Sequence, residues 1–472
     1  MNNYELVVGL ETHAELQTKT KIFCGCPNKF GKEPNTNCCP VCVGLPGTLP
    51  VLNKKAVEFA VRAGLALGCK INLTSKMDRK NYTYPDLPKA YQISQFEAPI
   101  CSGGGVELSN GRKIRINHIH IEEDAGKLVH KQGDVYVDYN RGGVPLIEIV
   151  SEPDIHSAEE AKEYVEKIQM VLRYTGVSNC KMQEGSMRCD VNVSVKPKGT
   201  EKLGTRTEIK NMNSLTFMMK AIDYEFGRHI KILESGGKIT QETLRYLEET
   251  ASTEPMRNKE DAQDYRYFRD PDLVKIILSE EKIEKIKKSL PELPDSRFKR
   301  YTEKFGISGK DALVLIKYKN TSDYFEKASD GLKNPKSVAN FILGQIFSKL
   351  ETETEKENFE IKLPPKNLKE LALLLESGKI NMNLAKTVLP KMLESGGKAE
   401  DFLTKSDLEG IGEEELLKIC ENAVKNNEPA VKDYLSGKEK ALGAILGAVM
   451  KETKGKANAI SAEKIILEII KG

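Results

Sequence analysis

One segment of the chain alternates polar and apolar side chains before it becomes acidic: His118-Ile119-His120-Ile121-Glu122-Glu123-Asp124-Ala125-Gly126-Lys127. It holds two of the six histidines of the protein. Because alternate residues of an extended chain share one face, both histidines and Glu122 would line up together. Ile119 and Ile121 would enter a core on the other face. The segment therefore predicts a half-buried β-strand with a polar, chemically active face.

A second acidic and imidazole cluster lies near the N-terminus, in Gly9-Leu10-Glu11-Thr12-His13-Ala14-Glu15. The same alternation puts Glu11, His13 and Glu15 on one face of a strand. If this strand lay beside the first one, carboxylate oxygens and imidazole nitrogens could bind one divalent cation. That ligand mixture suits Mg²⁺ or Mn²⁺ better than a soft metal. The alternative is two half-buried strands whose polar faces are simply hydrated.

Size and composition indicate an ordinary globular protein. Its 472 residues are enough for two or three domains, with 39% hydrophobic and 30% charged residues and no Trp. A net charge of +3 creates no global basic field, so any RNA contact must come from local patches. The start of the chain lacks the basic and apolar regions of a signal peptide, and the run from Ala441 to Met450 is shorter than the ~20 residues of a membrane span. We therefore predict a cytoplasmic protein without membrane contact.

Ten cysteines are present, and half of them fall between residues 24 and 42. Cys24-Gly25-Cys26 and Cys39-Pro40-Val41-Cys42 form two close pairs separated by a loop, which is the spacing of a four-thiolate zinc site. We predict structural zinc bound by Cys24, Cys26, Cys39 and Cys42, with Cys38 outside the set. Four thiolates leave no open position for catalysis. The alternative is a group of unreactive thiols on a Pro/Gly-rich loop.

The pattern along the chain predicts an α+β protein with three parts. Residues 1–294 should form a mixed, largely antiparallel sheet domain with helices. Its predicted strands are Tyr4–Leu16, Lys113–Ile121, Val135–Tyr139, Leu146–Val150, Cys189–Val195 and Arg206–Lys210. Its predicted helices are Lys54–Leu67, one that opens with a capping box at Ser157 and Glu160 and ends at Gly176, and one from Ser214 to a glycine cap at Gly236-Gly237.

Helical periodicity dominates the rest of the chain. We predict an all-helical domain at 295–398 and a small helical C-terminal module at 399–472. The predicted helices are Lys310–Tyr318, Thr321–Ser329, Ser337–Glu351, Asn367–Ser377, Lys379–Glu394, Lys438–Lys454 and Ala462–Lys471. Pro390 should kink or divide the fifth of them. The basic residues that flank the apolar helix near Leu442 suit local contacts with an RNA backbone, and they suit a Lys-rich bundle surface equally well.

Further polar segments indicate a functional cavity. Asp78-Arg79-Lys80-Asn81-Tyr82-Thr83-Tyr84-Pro85-Asp86 interleaves aromatic and basic side chains, which can stack on a base and pair with phosphate. An ordered structural loop is the alternative. Neither a GxxxxGK[ST] phosphate loop nor a GxSxG elbow occurs in the sequence. ATP, if it is used, must therefore bind in a site of another type.

Several of these motifs, in order, resemble the GatB family, one of the subunit families of the aspartyl/glutamyl-tRNA(Asn/Gln) amidotransferases. The resemblance covers essentially the full length. It is carried by Gly9-Leu10-Glu11-Thr12-His13, the cysteine cluster, Asp78-Arg79-Lys80-Asn81-Tyr82, His120-Ile121-Glu122-Glu123-Asp124-Ala125-Gly126-Lys127, Pro145-Leu146-Ile147-Glu148-Ile149-Val150-Ser151-Glu152-Pro153-Asp154 and Asp264-Tyr265-Arg266-Tyr267-Phe268. One departure follows the last motif, at Arg269-Asp270-Pro271-Asp272, and it affects only that loop.

The resemblance implies an ATP-dependent carbon–nitrogen ligase. Such an enzyme activates the side-chain carboxylate of misacylated Glu-tRNA(Gln) or Asp-tRNA(Asn) with ATP and Mg²⁺, and ammonia then displaces the phosphate. The ammonia would come from a separate amidase (glutaminase) subunit, and a small third subunit would complete a heterotrimer. The alternative is a zinc-bearing scaffold subunit that holds tRNA and leaves the chemistry to its partners.

The resemblance also assigns roles to residues. Glu11, His13 and Glu123 match the family's Mg²⁺ positions, whereas strand alternation alone pairs Glu122 with His120. A bulge or strand end at Glu122 would reconcile the two, and we keep both glutamates while preferring Glu123. The candidate catalytic residues are Glu11, His13, Lys80, Glu123 and Asp190, with Lys80 meeting a phosphate. A path for ammonia is expected along Glu148, Asp190, Glu208 and Lys210.

Overall fold

The computed structural model describes residues 3–256, 264–404, 407, 413–453, 457 and 459–471. The chain divides into two compact units, Met1–Leu293 and Pro294–Gly472. The first contains the sheet and the second is helical, so the predicted α+β class is confirmed. The predicted three-part division at 294 and 398 stays a prediction.

Alternating and β-branched segments form the strands of the first unit. They are β1 Tyr4–Glu15, β2 Lys70–Ile71, β3 Thr74–Ser75, β4 Asp78–Asn81, β5 Tyr91–Ser94, β6 Cys101–Ser102, β7 Gly105–Glu107, β8 Lys113–Glu123, β9 Lys127–Lys131, β10 Asp134–Asp138, β11 Pro145–Ser151, β12 Met187–Pro197, β13 Thr207–Met212, β14 Thr243–Leu247, β15 Ser252–Pro255, β16 Phe268–Arg269 and β17 Ile276–Ile277. Each predicted strand is present within two residues at either end.

The central sheet has the order β15-β14-β13-β12-β1-β11-β8-β6-β2, with β7 on the free part of β8. Only the β13–β14 pair is parallel among these described strands, so the prediction of a largely antiparallel sheet is confirmed. Small sheets β16-β4-β5, β9-β10 and β3-β17 flank it. The two histidine-bearing strands, β1 and β8, are not neighbours in this sheet. β11 lies between them because its own alternating sequence pairs with both.

The helices of the first unit begin and end where their capping residues allow. They are α1 Lys54–Ala66, α2 Ala158–Tyr174, α3 Leu215–Glu234 and α4 Glu280–Lys288. Ser157 Oγ accepts from Glu160 N at 3.1 Å, but the Glu160 carboxylate accepts from His156 N instead of Ser157 N. The predicted capping box is therefore only half formed. Gly236 ends α3 at φ +77°, a left-handed conformation that glycine adopts without strain.

Apolar residues on one face of the central sheet pack against these helices. Val8 and Leu10 of β1, with Ile119 and Ile121 of β8, are almost fully buried in one core that includes residues of α1, α2 and α3. The alternate residues of the same strands point to the opposite face. The sheet therefore separates a dry helical side from a side that carries the charged residues.

The second unit is a set of helices with two modifications of the predicted pattern. Its α-helices are Pro294–Glu303, Gly309–Ile316, Lys319–Ser329, Pro335–Phe341, Glu353–Asn358, Pro365–Glu376, Met382–Ser395, Glu413–Asn426, Glu428–Leu435, Leu442–Glu452 and Ala459–Lys471. The predicted helix Ser337–Glu351 changes to a π-helix at Ile342–Ile346. Pro390 lies inside an undivided helix. The predicted end at Lys454 lies outside the described residues.

A separate apolar cluster joins the last helices of the second unit. Its buried members include Leu416, Cys420, Ile445 and Ile466. None of the described helices combines the length and the apolarity that a membrane crossing requires.

A buried polar network fixes α3 to the sheet. The carboxylate of Glu225, fully buried, accepts hydrogen bonds from Arg228 at 2.8 Å and from Thr207 of β13 at 3.0 Å, and Thr253 of β15 also donates to it. Burial raises the pKa of Glu225, but the hydrogen bonds from His229, Arg228 and Thr253 outweigh burial and lower the pKa to about 2.

We expect Glu225→Gln to lower the free energy of unfolding at neutral pH by about 3 kcal/mol, because the folded pKa of about 2 lies below the ordinary value of 4.5. The carboxylate stabilises the fold fully above the unfolded pKa, and this stabilisation is lost as the pH falls towards the folded pKa. Urea unfolding from about pH 7 to about pH 3 should therefore show wild type and variant converging in acid. Glu234→Gln, at an exposed position of the same helix, is the control. A constant difference at every pH would contradict the assignment.

Candidate active site

Two imidazoles and two carboxylates converge on the polar face of the sheet. The pairing register puts His13 of β1 opposite Glu148 of β11, and Glu148 opposite His120 of β8. Glu148 Oε2 lies 3.3 Å from His13 Nε2 and 3.1 Å from His120 Nε2. Glu122 lies 3.6 Å from the same nitrogen of each imidazole. We call these four residues the histidine–carboxylate cluster.

Electrostatics keep His13, His120 and Glu148 ionised in spite of their burial. Burial lowers the pKa of His120, but the charges of Glu148 and Glu122 outweigh burial and raise the pKa to about 10. The pKa of His13 is also raised, again with the charge of Glu148 opposing burial. Burial raises the pKa of Glu148, yet the two imidazoles hold it well below its usual range. Positive charge between the two carboxylates is therefore favourable.

A divalent cation fits the donor set of this cluster. One ligand atom each of His13, Glu122 and Glu148 lies within 4.8 Å of the others. Nδ1 of both His13 and His120 is buried and has no hydrogen-bond partner among the described residues. These two Nδ1 atoms are thus available to a ligand. Carboxylate oxygens with imidazole nitrogen suit Mg²⁺ or Mn²⁺, as the sequence predicted.

A second carboxylate group lies one strand away. Glu11 of β1, Asp190 of β12 and Glu208 of β13 have ligand atoms within 4.8 Å of one another. Lys210 Nζ donates to Asp190 Oδ2 at 2.7 Å and also pairs with Glu208. Burial raises the pKa of Glu11, and the nearby charges of Glu148, Asp190 and Glu208 add to that, while Lys210 opposes them. This group, the lysine–carboxylate cluster, already contains a cation of its own.

The predicted Mg²⁺ ligands are therefore divided among three places. Glu11 lies in the lysine–carboxylate cluster, and His13 and Glu122 lie in the histidine–carboxylate cluster. Glu123 points elsewhere, since its carboxylate accepts from Lys89 Nζ at 2.6 Å and from Ile93 N at 2.9 Å. No bulge occurs at Glu122, because β8 pairs regularly with β11 through both glutamates and ends one residue later, at Glu123. The alternating pattern thus identified Glu122 as the neighbour of His13. The set of metal ligands stays a prediction.

The site also contains residues that were not among the candidate catalytic residues. Arg188, which faces His13 in the register, donates to both oxygens of Asp124 at 3.0 and 3.1 Å. This pair borders Glu15, where burial and the charge of Asp124 raise the pKa to about 7. Alternation in the Arg188-Cys189-Asp190 segment was the available signal for Arg188. Its partner could not be read from the chain because the two residues are far apart in sequence.

Lys80 lies on β4, beside the cluster instead of within it. Its Nζ is 4.7 Å from the centroid of the Tyr265 ring. Burial lowers the pKa of Lys80, but Tyr267 and the charge of Glu122 raise it above its ordinary value, so the side chain stays an ammonium. A cavity of about 560 Å³ opens next to this strand. It is lined by Asn81, Tyr82, Thr83, Ala90, Asp264, Arg266 and Phe268.

The predicted cysteine ligands lie together. Cys42 Sγ is 3.8 Å from Cys24 Sγ and 3.7 Å from the sulfurs of Cys26 and Cys39. A tetrahedral site with Zn–S bonds of about 2.3 Å would separate its sulfurs by about 3.8 Å. Cys38 instead contacts Asn140 at 3.7 Å. The four thiols, which we call the thiol cluster, could therefore hold a metal such as zinc.

Comparison with known proteins agrees with the division of the chain into two compact units. Residues 6–284 match the GatB/GatE catalytic domain, and residues 323–470 match the GatB domain. The charged clusters, the cavity and the thiol cluster all fall within the first match.

Curated relatives extend over nearly the whole length. A protein of Thermoanaerobacter sp. (strain X514) is 53% identical over 470 residues, which cover 98% of this chain and 99% of the relative. A protein of Ruminiclostridium cellulolyticum is 51% identical, with 98% and 96% covered, and one of Brevibacillus brevis is 48% identical, with 100% and 99% covered. All three are named as the GatB-type subunit of an aspartyl/glutamyl-tRNA(Asn/Gln) amidotransferase. With such identity along its full length, this chain belongs to the GatB family of amidotransferase subunits.

Proposed function

We propose that the chain is the activating subunit of a tRNA-dependent amidotransferase. It would convert misacylated Glu-tRNA(Gln), Asp-tRNA(Asn) or both into the amide form with ATP and ammonia. The observation that supports this most is the pair of charged clusters on one face of the sheet, inside the segment that matches the GatB/GatE catalytic domain. A subunit that only held tRNA would have no use for two clusters of charged side chains that are buried or half-buried on one face of the sheet.

The reaction has two steps. A carboxylate oxygen of the aminoacyl side chain attacks the γ-phosphorus of ATP, the bond to the ADP oxygen breaks, and an acyl phosphate forms. Ammonia nitrogen then attacks the acyl carbon, the bond to phosphate breaks, and one proton is lost as the amide forms. Both steps bring anionic groups together, so they need cations that are already in position.

The residues of the histidine–carboxylate cluster would hold the metal. His13, Glu122 and Glu148 are the proposed ligands, and Glu123 is not among them in this proposal because Lys89 holds it. Bound Mg²⁺ would supply positive charge to the phosphate oxygens. Lys80, whose ammonium has no hydrogen bond or ion pair to a described side chain, is proposed to pair with a phosphate oxygen.

The lysine–carboxylate cluster suits the arrival of ammonia. Asp190 and Glu208 hold Lys210, and Glu11 accepts a hydrogen bond from Asn192 at 3.0 Å. With Glu148 next to them, these residues form a continuous polar row across four strands, β13, β12, β1 and β11. We propose that ammonia follows this row to the acyl phosphate. The charged groups offer it successive hydrogen-bond partners along the row.

The proposed reaction implies partners and a location. Ammonia would come from an amidase (glutaminase) subunit, and a small third subunit would complete the heterotrimer. The helices of 399–472 are proposed to hold the tRNA, and zinc in the thiol cluster would have a structural role. Because aminoacyl-tRNA is a substrate of cytoplasmic translation, we propose that the chain acts in the cytoplasm.

We expect Glu148→Gln to abolish amidation while tRNA affinity is retained. The assembled complex would receive misacylated Glu-tRNA(Gln), ATP, Mg²⁺ and ammonium chloride in place of glutamine, and Gln-tRNA formation would be measured. A loss of about 100-fold or more is expected, since a proposed ligand of the metal is removed. Glu107→Gln, an exposed glutamate on β7, should keep full activity. Equal product from Glu148→Gln and wild type would place the chemistry elsewhere and leave a tRNA-binding scaffold.

The two lysines should respond differently to the nitrogen source. Lys80→Ala should lose product with glutamine and with ammonium chloride alike, since activation by ATP precedes both. Lys210→Met should lose glutamine-dependent product more than ammonium-dependent product, since externally added ammonia does not need the proposed path. The ratio of the two rates is the measurement. An unchanged ratio in Lys210→Met would contradict the path, and ATP-dependent activation retained in Lys80→Ala would contradict the phosphate contact.

A further inference from the structure

The cavity beside Lys80 has walls of a distinctive kind. Tyr82 meets Tyr265 edge to face, with ring centroids 5.9 Å apart. Phe268 exposes 49% of its surface and is covered on one side by the guanidinium of Arg79, 5.8 Å from the ring centroid. Asp270 and Asp272 hold that guanidinium at 2.8 Å each. The aromatic surfaces are thus fixed from behind and remain open towards the cavity.

Arg266 is held at the cavity in an unusual backbone conformation. Its φ of +47° lies in the left-handed region that residues other than glycine rarely adopt. Asn81 Nδ2 donates to Arg266 O at 2.8 Å, and Asp264 Oδ1 accepts from Arg266 N at 3.0 Å. The Arg266 side chain is exposed and has no hydrogen bond or ion pair to a described residue. Strain of this type is commonly found where a side chain must be presented to a ligand.

From these walls we propose that the cavity receives the 3′-terminal adenosine of the misacylated tRNA, a proposal that rests on the function given above. Phe268 and Tyr82 offer stacking surfaces to the base, and Arg266 offers two donors to a phosphodiester. Asp264 can accept from a ribose hydroxyl or pair with the α-ammonium of the aminoacyl group. One arginine with one aspartate suits this nucleotide end better than a free triphosphate, whose charge is about −4.

The position of the cavity agrees with this assignment. Asn81 and Tyr82 directly follow Lys80. The charge of Glu122, in the histidine–carboxylate cluster, contributes to raising the pKa of the Lys80 ammonium. An amino acid esterified to an adenosine in the cavity would therefore extend past Lys80 towards that cluster. The side-chain carboxylate is the group that must reach it.

Binding of deacylated tRNA tests this proposal without requiring catalysis. Two forms of one tRNA, with and without the terminal adenosine, would be titrated against the assembled complex. Wild type should bind the complete form about tenfold more tightly, as expected for one stacked base. Arg266→Gly, which keeps the left-handed backbone without strain, and Phe268→Leu should lose this preference at unchanged Kd for ATP. Arg206→Ala and Tyr136→Leu, at exposed positions elsewhere, should keep it.

Three outcomes overturn the proposal: no preference in wild type, a preference retained in both variants, or a raised Kd for ATP with the preference intact. The last would identify the cavity as an ATP site. A wild type that prefers the complete tRNA but never forms an amide would overturn the proposed function and leave the cavity assignment intact.

An independent observation concerns Lys21, which is fully buried. Its Nζ donates to Tyr139 O at 3.0 Å, and no carboxylate of a described residue lies within ion-pair distance. A buried ammonium without an anion is strongly unfavourable. Its backbone N–H donates to Cys26 O at 2.9 Å, and its side chain runs beside Gly143, as Cys42 does. These contacts place the Lys21 side chain against the loop that carries the thiol cluster.

We infer that Lys21 is a positioning residue for a metal bound by the four thiols. Four thiolates around Zn²⁺ carry a net charge of −2. The buried ammonium offsets part of that charge and makes the metal-bound form of the loop more favourable than the metal-free form. Partners that do not touch the metal commonly change its affinity in this way.

Zinc release measures this effect directly. Purified wild type should contain one zinc per chain, and Lys21→Met should release it to a chromogenic chelator about tenfold to a hundredfold faster. Lys21→Arg should restore slow release, and Lys19→Met, at an exposed neighbouring position, should leave it unchanged. The thermal midpoint of the metal-free forms separates a general folding defect from a change at the metal. Wild type without zinc, or Lys21→Met with wild-type release at an equal midpoint, would overturn the inference.

Discussion

The contact of Glu148 with two histidines is the interaction on which the polar face of the sheet depends. It exists only in one register, with His13 and His120 opposite Glu148 on the two sides of β11. A slip of β11 by one residue would turn Ile147 or Ile149 towards the histidines and Glu148 into the apolar core. Both isoleucines are fully buried. The hydrophobic core and the charged cluster therefore select the same register, and neither can change without the other.

The same face solves the problem of buried charge in two ways. At β1, β11 and β8 the carboxylates of Glu122 and Glu148 face imidazoles. An imidazolium can lose its proton, and a metal cation can then supply the positive charge in its place. At β12 and β13 Asp190 faces Lys210, whose ammonium stays charged at every physiological pH. An exchangeable cation suits binding of phosphate and metal, and a fixed one suits a permanent polar path. Two neighbouring clusters with different cations can thus serve the two steps of one reaction.

Local patterns in the sequence predicted local structure well. Strand positions were correct within two residues because alternation is read directly from the chain, and the cysteine spacing identified the four thiols that lie together. Strand order was not available, since the insertion of β11 depends on pairing partners far apart in sequence. Alternation chose Glu122 and the resemblance favoured Glu123, and the structure places the former with His13. No sequence pattern indicated that Lys21 is buried, because a lysine in a polar segment is expected to be exposed.

The small sheet of β16, β4 and β5 is joined to β8 by side-chain amides instead of by strand pairing. Gln92 Nε2 donates to Glu123 O at 2.8 Å, and Gln95 Oε1 accepts from Ile121 N at 2.9 Å. Both glutamines are buried, so these bonds have no competing water and fix the distance between the two sheets. Their partners on β8, Ile121 and Glu123, directly precede and follow Glu122. The strand that carries Lys80 and the edge of the cavity is therefore held at a fixed position relative to the histidine–carboxylate cluster. This fixed position is what allows a nucleotide bound on one sheet to present its amino acid to the other.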